Sequence, residues 1–352
     1  MKQNTTNPVG MIEGFYGNPW PHSVRLKFPE ILAELGLNAY LYCPKSDPYL
    51  RRRWKEDWPI AEWNNLRAFS FECLNKKISF GIGISPYEIY TGYTNSEKIR
   101  LRAKIQKISE LSPVFICVLF DDMQGDFKDI ASIQADIAND IHSWFAPAKV
   151  LLCPTYYSFD PILESVFGKK PINYEESIGE LLHHDIGVLW TGNKVCSEEI
   201  SCSHAKQVSK IFKRQITLWD NYSANDGKER SKYLFLKPLP GRDDMLPKYL
   251  SGHLCNAMTQ SELFLITLSG LSKLHGASSS TEIWLERRLG KKVLNMLSSN
   301  LTEFETIGLE ALSKSRLSEL INDYGVIKSA ATKQIVEWLK GRYKFDPSCL
   351  TD

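Results

Sequence analysis

Two adjacent aspartates, Asp121 and Asp122, follow the apolar run PVFICVLF at residues 113–120. An aspartate pair in an exposed loop is usually solvated, but this pair stands at the end of a run that is typical of a buried strand. Two neighbouring carboxyl groups in a restricted pocket cannot both ionise freely, so one of them retains a proton near neutral pH. The pair therefore suits acid-assisted cleavage of a bond to oxygen.

Adjacent carboxylates suit one class of glycosidase better than the others. Most glycosidases place two carboxyl groups ~5–9 Å apart on opposite sides of the scissile bond, which neighbours on one strand do not do. In substrate-assisted catalysis the 2-acetamido oxygen of the sugar is the nucleophile, and the second carboxylate holds the acetamido N–H.

The segment from Trp219 to Asp226, WDNYSAND, is either a turn or a loop that binds hydroxyls, and its residues favour both equally.

The elements that must position these residues form a regular series. Eight short β-rich apolar runs lie near residues 12, 40, 82, 117, 151, 188, 217 and 254, with helical patterns between them. Such alternation predicts parallel βαβ units, and eight of them predict a closed (β/α)8 TIM barrel, in which catalytic groups follow the strands. An open doubly wound sheet is the alternative, but the first strand is followed by GFYGNPW rather than GxGxxG.

The chain divides by pattern into two parts. Residues 1–276 are predicted to form the catalytic barrel, and residues 277–352 a C-terminal helical segment that packs against it as a small bundle. Between them, Gly276 to Thr281 is a run of small residues, with Thr281 predicted as the N-cap of the next helix. The apolar stripes of the C-terminal helices could also pair two copies in a homodimer.

Composition and charge exclude several classes of protein. The 352 residues hold 43 Lys+Arg and 41 Asp+Glu, a net charge of +2, which leaves no surplus for nucleic acid or anionic lipid. The first ten residues lack the apolar region of a signal peptide, and no apolar run has transmembrane length, so we expect a cytoplasmic protein with no membrane partner. Eight cysteines without a CxxC motif indicate reduced thiols, and Cys196, Cys202 and His204 lack zinc-site spacing, so no metal or cofactor is expected.

Several segments together carry a resemblance to a known family. These segments are, in chain order, EGFYGNPW, YLYCPKSDPYLRRRW, FDDM, LLCPTYY, LWTGNKVCS, LWDNYSAND and LCNAM. In these segments the chain is similar to glycoside hydrolase family 84, the β-N-acetylglucosaminidases that remove O-linked GlcNAc from proteins, in order over about residues 9 to 270. Departures such as Asn18 and Tyr156 affect the rim of the predicted pocket and remove no catalytic group.

The resemblance implies a role for each matching residue. Asp121 would orient and polarise the 2-acetamido group, and Asp122 would be the general acid and then the general base. Gly14 and Lys45 would contact sugar hydroxyls, and Tyr157 would bond near the acetamido carbonyl or the anomeric centre. The remaining matches are Trp219 as the floor of the acetamido pocket, Cys153 near the acetamido methyl, Tyr16 lining the pocket, and Asn221, Asp226 and Asn256, which fix the acetamido group or the 4- and 6-hydroxyls.

Two other charged features are given structural roles. Glu13 is expected to buttress the barrel mouth rather than act as a nucleophile. The run from Arg51 to Arg53 is expected to be a solvated basic face rather than a contact for an acidic aglycone.

The sequence therefore predicts a retaining β-N-acetylglucosaminidase that acts on a GlcNAc-bearing glycoside or glycoprotein. One alternative is a non-hydrolytic GlcNAc-binding protein on the same fold, and retention of both aspartates argues against it. The other is a metal-dependent hydrolase, for which His253, beside Asn256, is the sole histidine at a predicted strand end.

Overall fold

The centre of the protein is a closed barrel of eight parallel strands. The computed structural model describes residues 7–145, 148–276 and 280–351. Each strand pairs with the next along the chain, and the last pairs with the first, which confirms the predicted barrel and makes the open sheet wrong. The strands are β1 (Val9–Glu13), β2 (Ala39–Tyr42), β3 (Ser79–Ile84), β4 (Phe115–Leu119), β5 (Lys149–Cys153), β6 (Gly187–Trp190), β7 (Thr217–Asp220) and β8 (Gly252–Asn256).

Helices connect the strands except between β7 and β8, where residues 221–251 form loops and two 3-10 turns. Lys237-Pro238-Leu239-Pro240-Gly241 lies in that connection, and its prolines cannot continue a helix. The α-helices in the described ranges are α1 (His22–Arg25), α2 (Phe28–Glu34), α3 (Ile60–Asn75), α4 (Asn95–Ser109), α5 (Ile130–Phe145), α6 (Ile162–Phe167), α7 (Tyr174–Leu181), α8 (Cys202–Ile211), α9 (Phe264–Leu274), α10 (Ser280–Leu289), α11 (Lys291–Ser299), α12 (Lys314–Gly325) and α13 (Ala330–Leu339).

The barrel strands are buried on both faces, which explains their continuous apolar runs. All five residues of β4 are buried, because alternate side chains enter the barrel centre and the layer under the helices. Gly81 in β3 leaves room for the ring of Phe115, since a Cβ there would lie 2.2 Å from it. No helix in the described part of the chain combines the length and the apolar character that a membrane span requires.

The C-terminal helices pack against the barrel, as predicted. Trp338 of α13 donates its indole N–H to the carbonyl of Ser231, 3.0 Å away, and Trp284 of α10 donates to Glu34 of α2 at 2.7 Å. The N-cap prediction for Thr281 is wrong, because α10 begins at Ser280 and Thr281 already lies in its first turn. Residues 277–279, where the predicted domain boundary falls, lie outside the described residues, and the homodimer stays a prediction.

Candidate active site

The aspartate pair stands at the carboxyl end of β4, where the strand turns into its loop. Asp121 is 6% exposed, and Asp122 adopts a left-handed backbone conformation with φ of 59°. That conformation costs about 1–2 kcal/mol in a residue other than glycine, and aspartate tolerates it better than most residues. The change of backbone direction between the two residues gives their carboxylates different neighbours.

Lys45, in the loop after β2, is a buried cation beside the aspartate pair. Its ammonium contacts Oδ2 of Asp121 directly and lies 3.6 Å from Oδ2 of Asp122. Burial alone would lower the pKa of Lys45, but the two carboxylates raise it above its ordinary value. The lysine therefore remains charged and compensates part of the buried negative charge.

Asp121 has a carboxylate oxygen without a protein partner. Oδ1 of Asp121 is buried and accepts no hydrogen bond from residues 7–145, 148–276 or 280–351. Burial raises the pKa of Asp121, the contact with Lys45 opposes the increase, and the nearby Asp122 carboxylate adds to it. A buried acceptor without a donor is costly unless a ligand supplies one, and an amide N–H would satisfy it.

Two tyrosines hold the carboxylate of Asp122. Tyr16, after β1, donates its hydroxyl to Oδ2 at 2.7 Å, and Tyr157, after β5, lies 3.4 Å from Oδ1. Burial and the Asp122 charge raise the pKa of both tyrosines well above 10, so both hydroxyls keep their protons. Asp122 thus lies between two neutral donors at the edge of the cavity.

An amide network lies beneath Trp219 at the ends of β7 and β8. Oδ1 of Asn221 accepts the indole N–H of Trp219 at 2.9 Å and the side-chain amide of Asn256 at 3.0 Å. Oδ1 of Asn256 is buried and has no donor among the described residues. A Cβ on Gly14 would lie 2.9 Å from the Trp219 ring and 3.1 Å from that oxygen, so glycine keeps the space between them open.

Asp226 is a third buried carboxylate of the site. It lies in the loop after β7, and its Oδ2 accepts the backbone N–H of Tyr16 at 2.6 Å. Burial raises the pKa of Asp226 to about 6, although the hydrogen bond from Tyr16 opposes the increase. Cys153, at the end of β5, contributes neutral surface, because burial raises the pKa of its thiol.

The eleven residues predicted for the site line a single cavity of about 50 Å³. This volume lies below the usual range for a small-molecule site, about 300–1,000 Å³. The structure therefore brings together residues at or just after the carboxyl ends of β1, β2, β4, β5, β7 and β8. The cavity is also lined by residues that sequence reasoning missed, namely Thr191, Val195, Cys196, Ala224, Gly227, Arg230, Cys349 and Thr351.

The prediction of a solvated face from Arg51 to Arg53 is wrong for Arg51. Arg51 is 7% exposed, whereas Arg52 and Arg53 are exposed. The loop after β2 turns inward at Arg51, whose guanidinium donates to the backbone carbonyl of Asp122 at 3.1 Å. Three consecutive arginines have no periodicity from which one buried member could have been predicted.

Glu13 is fully engaged by protein groups, as its predicted structural role requires. Arg25 donates to both of its carboxylate oxygens, at 2.7 and 2.6 Å, and the Tyr40 hydroxyl also donates to it. A carboxylate held in this way is not available to attack a sugar.

Two clusters within the described part of the chain contain residue types that can bind a metal ion, and neither contains Asp121 or Asp122. His142, His183 and Asp185 lie at the surface. In the buried group of Asp220, His253 and Cys255, Arg242 donates twice to Asp220, and His253 lies 3.0 Å from it. Burial alone would raise the pKa of Asp220, but Arg242 and His253 hold it well below its usual range. The carboxylate of this group is therefore already satisfied by protein partners, namely Arg242 and His253.

Comparison with solved structures supports the fold and relates it to known enzymes. A mutant O-GlcNAc hydrolase from Thermobaculum terrenum has a TM-score of 0.78 and 27% identity, covering 96% of this chain and 81% of that chain. The structure of CpGH84B has a TM-score of 0.74, covering 95% of this chain and 66% of that chain. Because CpGH84B is 23% identical, it supports the fold alone.

Sequence comparison identifies the family. The protein O-GlcNAcases of Rattus norvegicus and Mus musculus are each 34% identical over 272 residues. The match covers 75% of this chain but 29% of those relatives, so the chain spans less than a third of their length. Residues 9–302 match the family model NAGidase, beta-N-acetylglucosaminidase. The chain therefore belongs to the NAGidase family, which is glycoside hydrolase family 84.

Proposed function

We propose that this protein is a retaining β-N-acetylglucosaminidase that removes terminal β-linked GlcNAc by substrate-assisted catalysis. The observation that carries the proposal is the Asp121–Asp122 pair, in which buried Oδ1 of Asp121 has no donor in the described chain while two tyrosines contact Asp122. One carboxylate is thus open to a ligand N–H, and the other is held beside the cavity. Family membership supports the same reaction.

Asp121 and Asp122 divide the chemistry of the first step. Asp121 accepts the acetamido N–H, which directs the acetamido oxygen at the anomeric carbon and increases its electron density. The oxygen attacks that carbon as the bond to the aglycone oxygen breaks, and the proton of Asp122 moves to the departing oxygen. The products are a bicyclic oxazolinium ion, whose N–H stays hydrogen-bonded to the Asp121 carboxylate, and a free alcohol, with Asp122 left ionised.

The second step returns the catalytic groups to their first state. Ionised Asp122 takes a proton from water as that water attacks the anomeric carbon from the face that the aglycone has left. The bond between the anomeric carbon and the ring oxygen of the oxazolinium ion breaks, and the acetamido group is restored with its N–H. Two inversions at one carbon give net retention.

The nucleophile belongs to the substrate in this proposal. Glu13, the carboxylate that ends β1, is engaged by Arg25 and Tyr40, and Asp226 accepts the backbone N–H of Tyr16. Replacing the N-acetyl group by mono-, di- and trifluoroacetyl should lower kcat/KM progressively, because charge develops on the attacking oxygen in the transition state. A GlcNAc-thiazoline, which resembles the oxazolinium ion, should inhibit far more tightly than GlcNAc. A flat response to fluorination, or a glycosyl ester trapped on a carboxylate of the chain, would overturn this mechanism.

The aglycone that we propose is a protein hydroxyl. The rat and mouse relatives are protein O-GlcNAcases, and their match covers 75% of this chain. A serine or threonine oxygen is a poor leaving group, so such a substrate needs the acid that Asp122 supplies.

Hydrolysis of aryl glycosides tests the activity directly. The chain should release 4-nitrophenol from its β-GlcNAc glycoside with a chelator present, and should leave the β-glucoside, which has no acetamido group, intact. The β-GalNAc glycoside tests selectivity at the 4-hydroxyl. Binding of GlcNAc without turnover would instead favour the non-hydrolytic alternative, and activity lost with the chelator would favour a metal-dependent hydrolase.

A further inference from the structure

Arg51 connects four of the loops that form the mouth of the barrel. It lies in the loop after β2 and donates Nη2 to the backbone carbonyl of Asp122, after β4, at 3.1 Å. Its Nη1 donates to Oγ of Ser85, at the end of β3, at 3.3 Å. The guanidinium carbon also lies 5.9 Å from the ring centre of Tyr16, after β1, and 5.3 Å from that of Tyr87, after β3.

Arg51 contacts the backbone carbonyl of Asp122 and the ring of Tyr16, and both of these groups affect where the Asp122 carboxylate lies. The carbonyl belongs to the residue whose backbone is in the left-handed conformation, so a donor on that oxygen resists rotation of the peptide. Tyr16, whose ring faces the guanidinium, donates its hydroxyl to Oδ2 of the same residue. Arg51 thus supports Asp122 through the main chain and through the tyrosine.

Within the described part of the chain Arg51 makes no hydrogen bond to Asp121, whose cationic partner is Lys45. Lys45 contacts Oδ2 of Asp121 directly, whereas the hydrogen bonds of Arg51 go to Asp122 and Ser85. Lys45 therefore pairs with both carboxylates, whereas of the two aspartates the hydrogen bonds of Arg51 reach only Asp122. Losing Arg51 should alter the acid most and leave acetamido recognition close to normal.

We propose that Arg51 is a positioning residue that holds Asp122 in line with the oxygen of the departing aglycone. The inference rests on the proposed glucosaminidase function and deepens it, because it assigns a residue to the acid step alone. A carboxyl group moved by a fraction of an ångström remains in the cavity but transfers its proton poorly to a leaving group that needs it.

The test compares Arg51→Met with Arg52→Met, because Arg52 is the exposed neighbour of the same type and charge. We measure kcat/KM over β-GlcNAc glycosides whose leaving groups range from 4-nitrophenol to simple alcohols and a glycopeptide serine. For Arg51→Met we expect kcat/KM to fall about 10–100-fold for alkyl and seryl substrates. For the activated aryl substrate, kcat/KM should stay within about threefold of the wild-type value. Inhibition by GlcNAc-thiazoline should stay near its wild-type value, and Arg52→Met should resemble the wild type throughout.

Two milder variants keep the test decisive if Arg51→Met does not fold. Ser85→Ala removes the partner of Nη1 and leaves the arginine in place, so it should show the same dependence on leaving group at smaller amplitude. Arg51→Lys retains one donor and should recover part of the activity on seryl substrates. If Arg51 had a merely structural role, its loss would lower activity on all substrates and weaken inhibition by GlcNAc-thiazoline in parallel.

The outcomes separate this inference from the proposed function. The role of Arg51 alone would be overturned if Arg51→Met lost kcat/KM equally across the leaving-group series. It would also be overturned if the wild type were active and neither Arg51→Met nor Ser85→Ala differed from it. A wild-type chain that hydrolyses no β-GlcNAc glycoside would overturn the proposed function, and the inference with it.

Discussion

Asp121 and Asp122 are neighbours in the chain with different partners, so their substitutions should have different effects. Asp122→Asn removes the proton donor, and we expect kcat/KM to fall by about 10²–10⁴-fold for seryl and alkyl glycosides but much less for activated aryl glycosides. Asp121→Asn should depress both kinds of substrate, because attack by the acetamido oxygen accompanies departure in both. A leaving-group series for each variant is the measurement, and equal losses for Asp122→Asn across it would contradict the assignment of the acid.

Asp226 should make sugar binding depend on pH. Burial raises the pKa of Asp226 to about 6, and an ionised carboxylate accepts hydrogen bonds from sugar hydroxyls better than a protonated one. Because protons and ligand then compete, the Kd of GlcNAc should rise about tenfold between pH 7 and pH 5. Calorimetry with this uncharged ligand measures the Kd at each pH. In Asp226→Asn the change in Kd that has its midpoint near pH 6 should be lost. The same midpoint in the variant would assign it to another group.

The residues of the site could be predicted to the extent that their positions follow from strand ends. Asp121, Tyr157 and Trp219 come after apolar runs, and parallel strands in a barrel deliver such residues to one rim. Arg51 could not be predicted, because its burial depends on how one loop folds over the next. Cys349 and Thr351 were missed for a similar reason, since no local pattern shows that a segment returns to a distant cavity.

At the scale of elements, the short helix α1 places Arg25 against Glu13 at the end of β1. Both side chains are buried and joined by two hydrogen bonds. Arg25→Met would leave a buried carboxylate without its cation, and we expect about 3–5 kcal/mol lower free energy of unfolding. Urea unfolding measures the loss, with Arg53→Met as control, because Arg53 and Glu56 form an exposed pair and the midpoint should not move. A stability for Arg25→Met equal to that of the control would show that the pair is dispensable.

Element boundaries show where sequence periodicity stops being informative. The buried strands are recognisable because both their faces are apolar, as in β4. The β7–β8 connection departs from the regular pattern, since residues 221–251 form loops that carry Asn221 and Asp226 into the site. Thr281 was predicted as a cap and lies one residue inside α10, because several neighbouring serines and threonines are equally good candidates for the cap.

On the scale of the whole molecule, the chain beyond α13 returns to the barrel mouth. The carbonyl of Lys344 lies 4.0 Å from where a Cβ on Gly17 would stand, and Cys349 and Thr351 line the cavity. The hydroxyl of Thr351 lies 3.3 Å from that of Tyr157, the residue that also faces Asp122. The C-terminal part of the chain is therefore more than a support for the barrel, because it contributes to the wall of the pocket.

Removing residues 344–352 should change how aglycones bind more than how the sugar reacts. A substrate that uses Tyr157 must displace the Thr351 hydroxyl, and a large aglycone must also share the mouth with this segment. We expect KM to fall severalfold for a GlcNAc-bearing peptide in the shortened chain and by a smaller factor for the 4-nitrophenyl glycoside, since both displace the Thr351 hydroxyl but only the peptide also shares the mouth with this segment. GlcNAc-thiazoline should gain by the same smaller factor, and kcat should change little. Thr351→Val should reproduce part of the effect, and Ser348→Ala, at an exposed position of the same segment, should not. If peptide and aryl substrates respond equally, the segment acts on the pocket as a whole and does not select the aglycone.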